Sequence, residues 1–251
     1  MFRTKQYLRI ILKLRSSATF SINFEYHSKI QGFLYSILKN SSFDHLHDKK
    51  GYKFFTFSNI FKVKYNLDNP LYNLIISSPS SKLIREICYH LQKIRESNIP
   101  LEIGNTFGLE SFKILNYNLS FPAKIITASP IIIRIPLKRF SKDSDISYPY
   151  PTIYWRCSHP LDLFIEYLEL NLKKKYYEFN NYKIKDRIFE QFTFKKQVST
   201  RIVIGDRNIP IIGSLWEFCF FKHIKQDIQL FALDSGLGER NSMGFGFMNP
   251  I

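Results

Sequence analysis

Residues 7–14 read Tyr7-Leu8-Arg9-Ile10-Ile11-Leu12-Lys13-Leu14. Leu8, Ile10, Leu12 and Leu14 occupy every second position, and the basic residues Arg9 and Lys13 lie between them. This period of two predicts a half-buried strand with a basic outer face at Arg9 and Lys13. In residues 30–38, which read Ile-Gln-Gly-Phe-Leu-Tyr-Ser-Ile-Leu, the apolar positions recur at i, i+3, i+4, i+7 and i+8. That spacing predicts an amphipathic helix over residues 26–39. The architecture therefore begins with a strand followed by a helix.

The segments that follow predict the rest of one folding unit. Aromatic and β-branched residues indicate strands at residues 53–58 and 71–77, and one or two more between residues 101 and 119. Ser80 and Ser81 precede a second amphipathic stripe, as expected at the start of a helix. The order strand, helix, strand, strand, helix, strand is that of a ferredoxin-like, or RRM-like, βαββαβ fold.

The same order begins again near residue 120. A helix is predicted from Pro160 and a short helix ending at Gly236. Strands are predicted at residues 124–136, 192–194, 200–204, 211–221 and 245–248. We therefore predict an α+β protein of two tandem ferredoxin-like domains, residues 1–124 (the first half) and residues 125–251 (the second half), with a glycine-rich loop near the C-terminal end.

The charge of the chain predicts a polyanionic partner. Its 251 residues include 36 Lys and Arg against 21 Asp and Glu, a net charge of +15, while 45 % hydrophobic residues exclude a basic disordered tail. The first half carries more of the excess, with 18 Lys and Arg against 8 Asp and Glu. No apolar run approaches the roughly 18 residues of a membrane span, and basic residues interrupt any signal peptide. We expect a cytoplasmic protein without a membrane partner, which favours nucleic acid over an anionic membrane surface.

The residues that hold cofactors in other proteins are absent or scattered. Three widely spaced cysteines suit neither a disulfide framework nor a CxxC metal site, and they are typical of a reducing compartment. His45 and His47 have no nearby cysteine or carboxylate set that would complete a zinc site. The chain contains neither GxxxxGK[ST] nor GxGxxG, which argues against an NTPase or a dinucleotide enzyme. We therefore predict no metal and no cofactor.

Four of the ten glycines cluster in residues 235–247, which read Ser-Gly-Leu-Gly-Glu-Arg-Asn-Ser-Met-Gly-Phe-Gly-Phe. Between a helix and a final strand, such glycines allow backbone N–H groups to approach phosphates closely, with Arg240 adding charge. The alternative interpretation is a helix cap followed by tight turns. For a single GxG the alternative would be favoured.

The two GxG elements, separated by a five-residue Glu-Arg-Asn-Ser-Met insert, resemble the glycine-rich loop of the CRISPR-associated repeat-processing endoribonucleases, the Cas-six family. Its members are typically tandem ferredoxin-like proteins that cut precursor CRISPR RNA within each repeat. Residues 30–36, 46–48 and 51–58 also resemble the first helix, the following loop and the next strand of archaeal-type members. The partner that this resemblance implies is CRISPR repeat RNA, and a CRISPR effector complex is a further partner to which the product could pass. Whether the protein is a monomer or a homodimer stays open.

The resemblance assigns three catalytic residues by position, namely Tyr35, His47 and Lys53. Metal-independent RNA cleavage needs a base for the ribose 2′-OH, an acid for the departing 5′-oxygen and positive charge at the phosphate. We assign the acid to His47, the phosphate contact to Lys53, and proton removal or orientation of the 2′-OH to Tyr35. The implied products are a 2′,3′-cyclic phosphate, or 3′-phosphate, and a 5′-hydroxyl. RNA contacts are expected from Lys39, Lys49, Lys50, Gly236, Gly238, Arg240, Asn241, Ser242, Gly244 and Gly246.

Several alternatives to this assignment remain. His45 is the fallback for His47, and on spacing alone Tyr35 would be a partly exposed helix residue and Lys53 a solvated charge at a strand edge. The main rival function is a non-catalytic protein of the same fold that holds repeat RNA without cutting it. A general RNA-binding protein of ferredoxin-like fold is the third possibility.

Overall fold

The computed structural model describes residues 8–16, 26–64, 70–115, 121–140, 151–204 and 207–251. The basic residues before Leu8 and the end of the strand predicted before residue 119 lie outside these ranges. In the first half, the elements in chain order are β1 (Leu8–Arg15), α1 (Tyr26–Leu38), β2 (Thr56–Phe57), β3 (Phe61–Lys64), β4 (Leu71–Ser78), α2 (Ser81–Glu96), β5 (Leu101–Glu102) and β6 (Thr106–Leu115). A short 3-10 turn at Asp44–Leu46 follows α1.

Burial in β1 follows the alternation of the sequence, with one exception. Ile10, Leu12 and Leu14 are fully buried, and Lys13 is exposed, as a strand with one solvated face requires. The expectation that Arg9 also faces solvent is wrong, because its side chain is only 3 % exposed. The second half covers this part of the sheet and supplies acceptors for the guanidinium, so a basic residue is buried there.

The helices of the first half start and pack as their patterns predict. In α1, the stripe of Ile30, Leu34 and Leu38 is buried against the sheet. In α2, the Ser80 hydroxyl accepts a hydrogen bond from the Leu83 amide at 3.2 Å, which satisfies one of the free N–H groups of the first turn. Both helices therefore present one apolar face to the sheet.

The second half contains β7 (Lys124–Thr127), β8 (Arg134–Pro136), β9 (Thr152–Tyr154), α3 (Leu161–Asn180), β10 (Phe189–Ile204), β11 (Arg207–Phe220), α4 (Gln226–Ser235) and β12 (Met248–Pro250). A 3-10 turn at Asn241–Met243 lies between α4 and β12. The strand predicted over residues 124–136 is two strands, because the chain leaves the sheet at Ser129 and Pro130. Proline cannot donate a ladder hydrogen bond there. The strands predicted between residues 192 and 221 instead form one long hairpin, β10–β11.

Both halves have the strand order of a ferredoxin-like fold. In the first half the order is β2-β4-β1-β6-β5 with β3 also paired to β4, and in the second half it is β10-β11-β7-β12. The β1 strand pairs antiparallel with β4 and β6, and β7 pairs antiparallel with β11 and β12. The predicted α+β fold with two ferredoxin-like units is confirmed.

Within the described ranges, the buried apolar residues form two large cores and a small third one. The first core draws its buried members from residues 10–109 and the second from residues 123–248. The third cluster, Ile132, Ile202, Ile211, Met243 and Phe245, joins the long hairpin to the glycine-rich segment. The predicted domain boundary at residue 124 follows Ala123, the first member of the second core, and it stays a prediction.

Candidate active site

The three residues assigned to catalysis lie together in the first half. The rings of Tyr35 and His47 meet edge to face with centroids 5.3 Å apart. The Lys53 ammonium lies 4.7 Å from the centroid of the Tyr35 ring and donates a hydrogen bond of 2.9 Å to the His47 carbonyl. A phenol, an imidazole and an ammonium group are therefore within reach of one bound phosphodiester.

The segment between α1 and β2 brings these residues together. The 3-10 turn after α1 inserts Leu46 into the first core, and this places the neighbouring His47 at the surface beside the last turns of the helix. Gly51, at a φ of +92°, then reverses the chain so that Lys53 returns towards α1. The carbonyl of His47 accepts from Lys53 and fixes the loop between them.

The His47 imidazole is open to solvent and already oriented. Its side chain is 65 % exposed, and its Nδ1 lies 2.6 Å from Oδ1 of Asp48. The carboxylate holds Nδ1 as the donor, so Nε2 is left to exchange a proton with a substrate. His45, in contrast, stacks on Phe43 and contacts the Ser42 carbonyl at 3.1 Å. The structure thus brings His47 to Tyr35 and directs His45 elsewhere.

A groove of about 390 Å³ runs beside this cluster. It is lined by Gly32, Tyr35, Ser36, Lys39, Asp44, His47 and Asp48. Lys39 is exposed at its edge, and Lys50 is exposed nearby. Lys49 is less available, because its ammonium pairs with Glu178 at 3.2 Å and lies 4.7 Å from the centroid of the Phe54 ring. The predicted RNA contacts of the three lysines stay predictions.

Residues 236–247, the glycine-rich loop, reach the cluster from the second half. The Gln31 amide donates to the Tyr35 hydroxyl at 3.2 Å and to the Ser242 hydroxyl at 3.0 Å. Ser242 is one of the predicted RNA-binding residues, and Gln31 is a residue that the sequence did not single out. One side chain on α1 therefore links the loop to the proposed catalytic tyrosine.

The glycines of the loop are buried and lie against protein atoms. A Cβ on Gly246 would lie 1.9 Å from the Leu237 carbonyl oxygen, and a Cβ on Gly244 would lie 2.4 Å from the Phe57 ring of the first half. Both residues also have positive φ values, +66° and +81°. Gly236 and Gly238 are buried in the same way. Packing within the protein accounts for the glycines, and their predicted RNA contacts stay predictions.

The partly exposed surface of the loop consists of Glu239, Arg240, Asn241 and Ser242. Glu239 accepts from the backbone N and Nε of Arg134 at 3.1 and 2.6 Å. The Asn241 amide donates to the carbonyls of Leu237 and Phe245 at 2.9 and 3.0 Å, so it closes the loop on itself. Arg240, at a φ of +57°, and Ser242 are therefore the loop side chains best placed to meet a ligand.

Lys175 on α3 supports the glycine-rich loop with a buried side chain. The sequence patterns did not single this residue out. Its side chain is 1 % exposed, and Nζ donates to the carbonyls of Gly236 and Gly238 at 2.5 and 3.4 Å and to Oδ1 of Asn241 at 2.8 Å. Burial lowers the pKa of Lys175 to about 7. A signal was present, since the apolar stripe of α3 continues from Leu168 and Leu172 to this lysine.

His27 is a second residue that supports the loop. It is buried on α1, stacks on Phe245 with ring centroids 4.8 Å apart and has Nδ1 2.7 Å from the Met243 carbonyl. Burial lowers the pKa of His27 to about 4. The neutral imidazole therefore donates to the loop from the same face of α1 that carries Gln31 and Tyr35.

Among the residues that the structure describes, no three His, Cys, Asp or Glu side chains are grouped as a metal site requires. No helix of the described ranges is long and apolar enough to cross a membrane.

Comparison with known proteins identifies the family. Residues 118–250 match the family model described as CRISPR associated protein Cas6, C-terminal. A protein named CRISPR-associated endoribonuclease Cas6 2, from Methanocaldococcus jannaschii, is 32 % identical over 257 aligned positions that cover 97 % of this chain and all of the relative. The Haloferax mediterranei protein named CRISPR-associated endoribonuclease Cas6 is 26 % identical and covers 97 % of this chain and 94 % of its own length.

Two solved structures share the fold over nearly the whole chain. One, described as CRISPR associated protein Cas6, superposes with a TM-score of 0.70 at 24 % identity and covers 98 % of this chain and 99 % of its own. Another, described as a RAMP protein binding different RNA substrates, has a TM-score of 0.72 at 21 % identity, with 97 % and 99 % covered. Since the family model spans more than half of the chain and a relative above 30 % identity spans nearly all of it, this protein belongs to the Cas6 family of CRISPR-associated proteins.

Proposed function

We propose that this protein is a metal-independent endoribonuclease that binds precursor CRISPR RNA and cleaves it once within each repeat. The observation that carries the proposal is the assembly of Tyr35, His47 and Lys53 beside an open groove. The relatives named as endoribonucleases supply the class of reaction. The net charge of +15 suits a polyanionic substrate.

The proposed reaction is an internal transfer at one phosphodiester. The ribose 2′-oxygen attacks the adjacent phosphorus and gives its proton to a water molecule in the open groove, while the bond from phosphorus to the 5′-oxygen breaks. The 5′-oxygen takes a proton from Nε2 of His47 and leaves as a hydroxyl. The other product ends in a 2′,3′-cyclic phosphate, which water opens to a 3′-phosphate. The Lys53 ammonium offsets the negative charge that develops on the phosphate oxygens.

Tyr35 is placed to orient the attacking group. A neutral phenol is a weak base near neutrality, but it accepts and donates hydrogen bonds. The Gln31 amide already donates to its oxygen, and the Lys53 ammonium lies over its ring. Tyr35 therefore holds the 2′-OH in line with the leaving oxygen, a positioning effect that contributes strongly to such reactions.

The proposed RNA path passes from the groove to the exposed part of the glycine-rich loop. Lys39 and Lys50 provide phosphate contacts at one end, and Arg240 and Ser242 provide them at the other. Lys49 contributes less, because Glu178 already neutralises it. The remaining loop residues of the predicted set, including Asn241, act mainly by shaping this surface.

The proposal also covers the form of the protein that acts, its compartment and the fate of its product. The two halves, divided near residue 124, act together as one enzyme, since the groove lies on the first and the loop belongs to the second. The unpaired cysteines suit the reducing cytoplasm, where repeat transcripts are available. The product either stays bound or passes to a CRISPR effector complex, and the active form is a monomer or a homodimer.

The deciding experiment uses repeat RNA from the protein's own genome in EDTA. A matched RNA carries a single 2′-deoxy nucleotide immediately 5′ of the scissile phosphate. We expect cleavage of the first RNA, a cyclic phosphate end on the product, and binding without cleavage of the second. Cutting of both RNAs would contradict 2′-OH attack. Tight binding with cutting of neither would favour the rival function, a protein that only holds repeat RNA.

A further inference from the structure

The glycine-rich loop is held by a buried cation that has no buried carboxylate partner among its contacts. The Lys175 ammonium donates to two carbonyls and one amide oxygen, all within residues 236–241. Three acceptors match the three N–H donors of a protonated lysine. Removing a charge from water is costly, and well-packed apolar residues in place of buried charges are often as stabilising or more so. Such a cost indicates a role beyond packing.

The bonds from Lys175 continue to the proposed catalytic tyrosine. The ammonium fixes Asn241, the next residue along the loop is Ser242, and the Ser242 hydroxyl accepts from Gln31 at 3.0 Å. The same Gln31 nitrogen donates to the Tyr35 hydroxyl at 3.2 Å. A chain of hydrogen bonds and one peptide link therefore connects α3 of the second half to Tyr35 of the first half.

We infer that Lys175 is a positioning residue for RNA cleavage, which holds the glycine-rich loop so that Ser242 and Gln31 orient the Tyr35 hydroxyl towards the substrate. This inference rests on the proposed function. Lys175 is 1 % exposed, so it acts through the loop and not by touching RNA. Its loss should therefore reduce the rate of cleavage much more than the affinity for RNA.

The protonation of Lys175 changes close to neutral pH. Burial lowers its pKa to about 7. The groups that share its cavity of about 190 Å³ are Tyr52 and Lys53 from the segment before β2 and Glu239 and Arg240 from the loop. The Tyr52 ring centroid lies 6.0 Å from Nζ. Below pH 7 the ammonium holds all three acceptors, and above pH 7 the neutral amine can donate only two hydrogen bonds.

The test compares Lys175→Met with Lys174→Met, which changes an exposed lysine on the same helix turn. Single-turnover cleavage, the Kd for a 2′-deoxy repeat RNA and amide hydrogen exchange of residues 236–247 are measured for both. For Lys175→Met we expect a rate at least about tenfold lower, a Kd within about threefold of wild type and faster exchange in the loop. Lys174→Met should leave the rate and the exchange unchanged.

The pH dependence of the cleavage rate distinguishes a positioning role of Lys175 from a role in packing alone. The ratio of the wild-type rate to the Lys175→Met rate should be largest below about pH 7 and fall as the pH rises through 7. A ratio that stays constant with pH, or an unchanged rate, would overturn the inference. Lys175→Gln keeps two N–H donors without a charge, and its rate should lie between those of the wild type and Lys175→Met. If Lys175→Met does not fold, Lys175→Gln serves in every measurement.

The same measurements distinguish failure of the inference about Lys175 from failure of the proposed function. Wild-type protein that binds repeat RNA without cutting it would contradict the endoribonuclease proposal. In that case the exchange comparison still decides whether Lys175 orders the loop. Unchanged exchange in Lys175→Met would overturn the positioning role even if wild-type cleavage is confirmed.

Discussion

The two parts of the candidate site differ in how firmly the protein holds them. In the catalytic cluster, the His47 side chain is 65 % exposed and touches the rest of the protein through few contacts. In the glycine-rich loop, the glycines are buried. Lys175, Asn241 and His27 donate hydrogen bonds to the backbone carbonyls of the loop. The comparison fits the proposed roles, in which the exposed side chains assigned to catalysis carry out the reaction and the buried loop keeps them aligned. Substitutions in the first part should lower activity with little effect on stability, and those in the second should change stability, activity or both because they act through the loop.

The largest expected effect is on the rate of cleavage. His47→Ala should slow single-turnover cleavage by about 10²–10⁴-fold, because the leaving oxygen loses its proton donor. The side chain is exposed, so the free energy of unfolding should change by less than about 0.5 kcal/mol. His45→Ala, two positions away, is the control and should cleave at the wild-type rate. A slow His45→Ala beside a fast His47→Ala would reverse the assignment.

The next effect is on stability and concerns the loop. Gly246→Ala should lower the free energy of unfolding by about 3 kcal/mol, because the new Cβ overlaps the Leu237 carbonyl and φ is positive. Gly32→Ala is the matched control, since nothing lies within 4 Å of its Cβ and the residue is in a helix. That control should raise the stability by up to about 1 kcal/mol. Urea denaturation measures both, and equal stabilities would contradict the packing described for the loop.

Acid should weaken the loop through His27. Burial lowers its pKa to about 4, whereas an unfolded imidazole titrates near 6.5, so the unfolded chain binds the extra proton between these values. The free energy of unfolding should therefore fall by about 3 kcal/mol as the pH drops from 6.5 to 4. The contribution is fully present above pH 6.5. Urea denaturation of wild type and His27→Gln over this range should show a shallower decline in the variant, and parallel curves would exclude His27 as the cause.

The smallest effect distinguishes two neighbouring lysines. Lys50→Ala should weaken repeat RNA binding and reduce the slope of log Kd against log salt by up to about one, as the loss of one phosphate contact requires. Lys49→Ala should change that slope less, because Glu178 pairs with Lys49. It should instead cost up to about 1 kcal/mol of stability. A larger salt effect for Lys49→Ala would show that RNA displaces Glu178.

Local periodicity was sufficient to predict most of the fold, whereas the residues assigned to the site came from the family resemblance. The period-two and period-3.6 patterns of residues 8–14 and 30–38 correctly indicated β1 and α1, because each element packs one face on its own half. The family resemblance of residues 30–36, 46–48 and 51–58 assigned Tyr35, His47 and Lys53, whereas spacing alone favoured a partly exposed helix residue for Tyr35 and a solvated charge for Lys53. Arg9, Gln31 and Lys175 could not be found from local patterns, since each contacts residues more than 60 positions away. The contacts of Arg9 and Gln31 cross to the second half, whereas Lys175 and its loop partners lie together in the second half. Of the three, only Lys175 gave a local sign of its distant contacts, because it occupies an apolar position in the stripe of α3.

The buried Arg9 has a consequence for cooperativity. Its guanidinium donates to the carbonyls of Leu233 and Met248 and to Oδ1 of Asn249, and it lies 3.8 Å from Asp234, whose carboxylate also accepts from Ser77. Separating the halves would break these contacts and expose Arg9 on one half and Asp234 on the other, so both charged groups would have to be hydrated again. Unfolding of one half therefore removes the partners that stabilise the buried charged residue of the other half. The two ferredoxin-like units should denature in a single calorimetric transition, although each has its own apolar core.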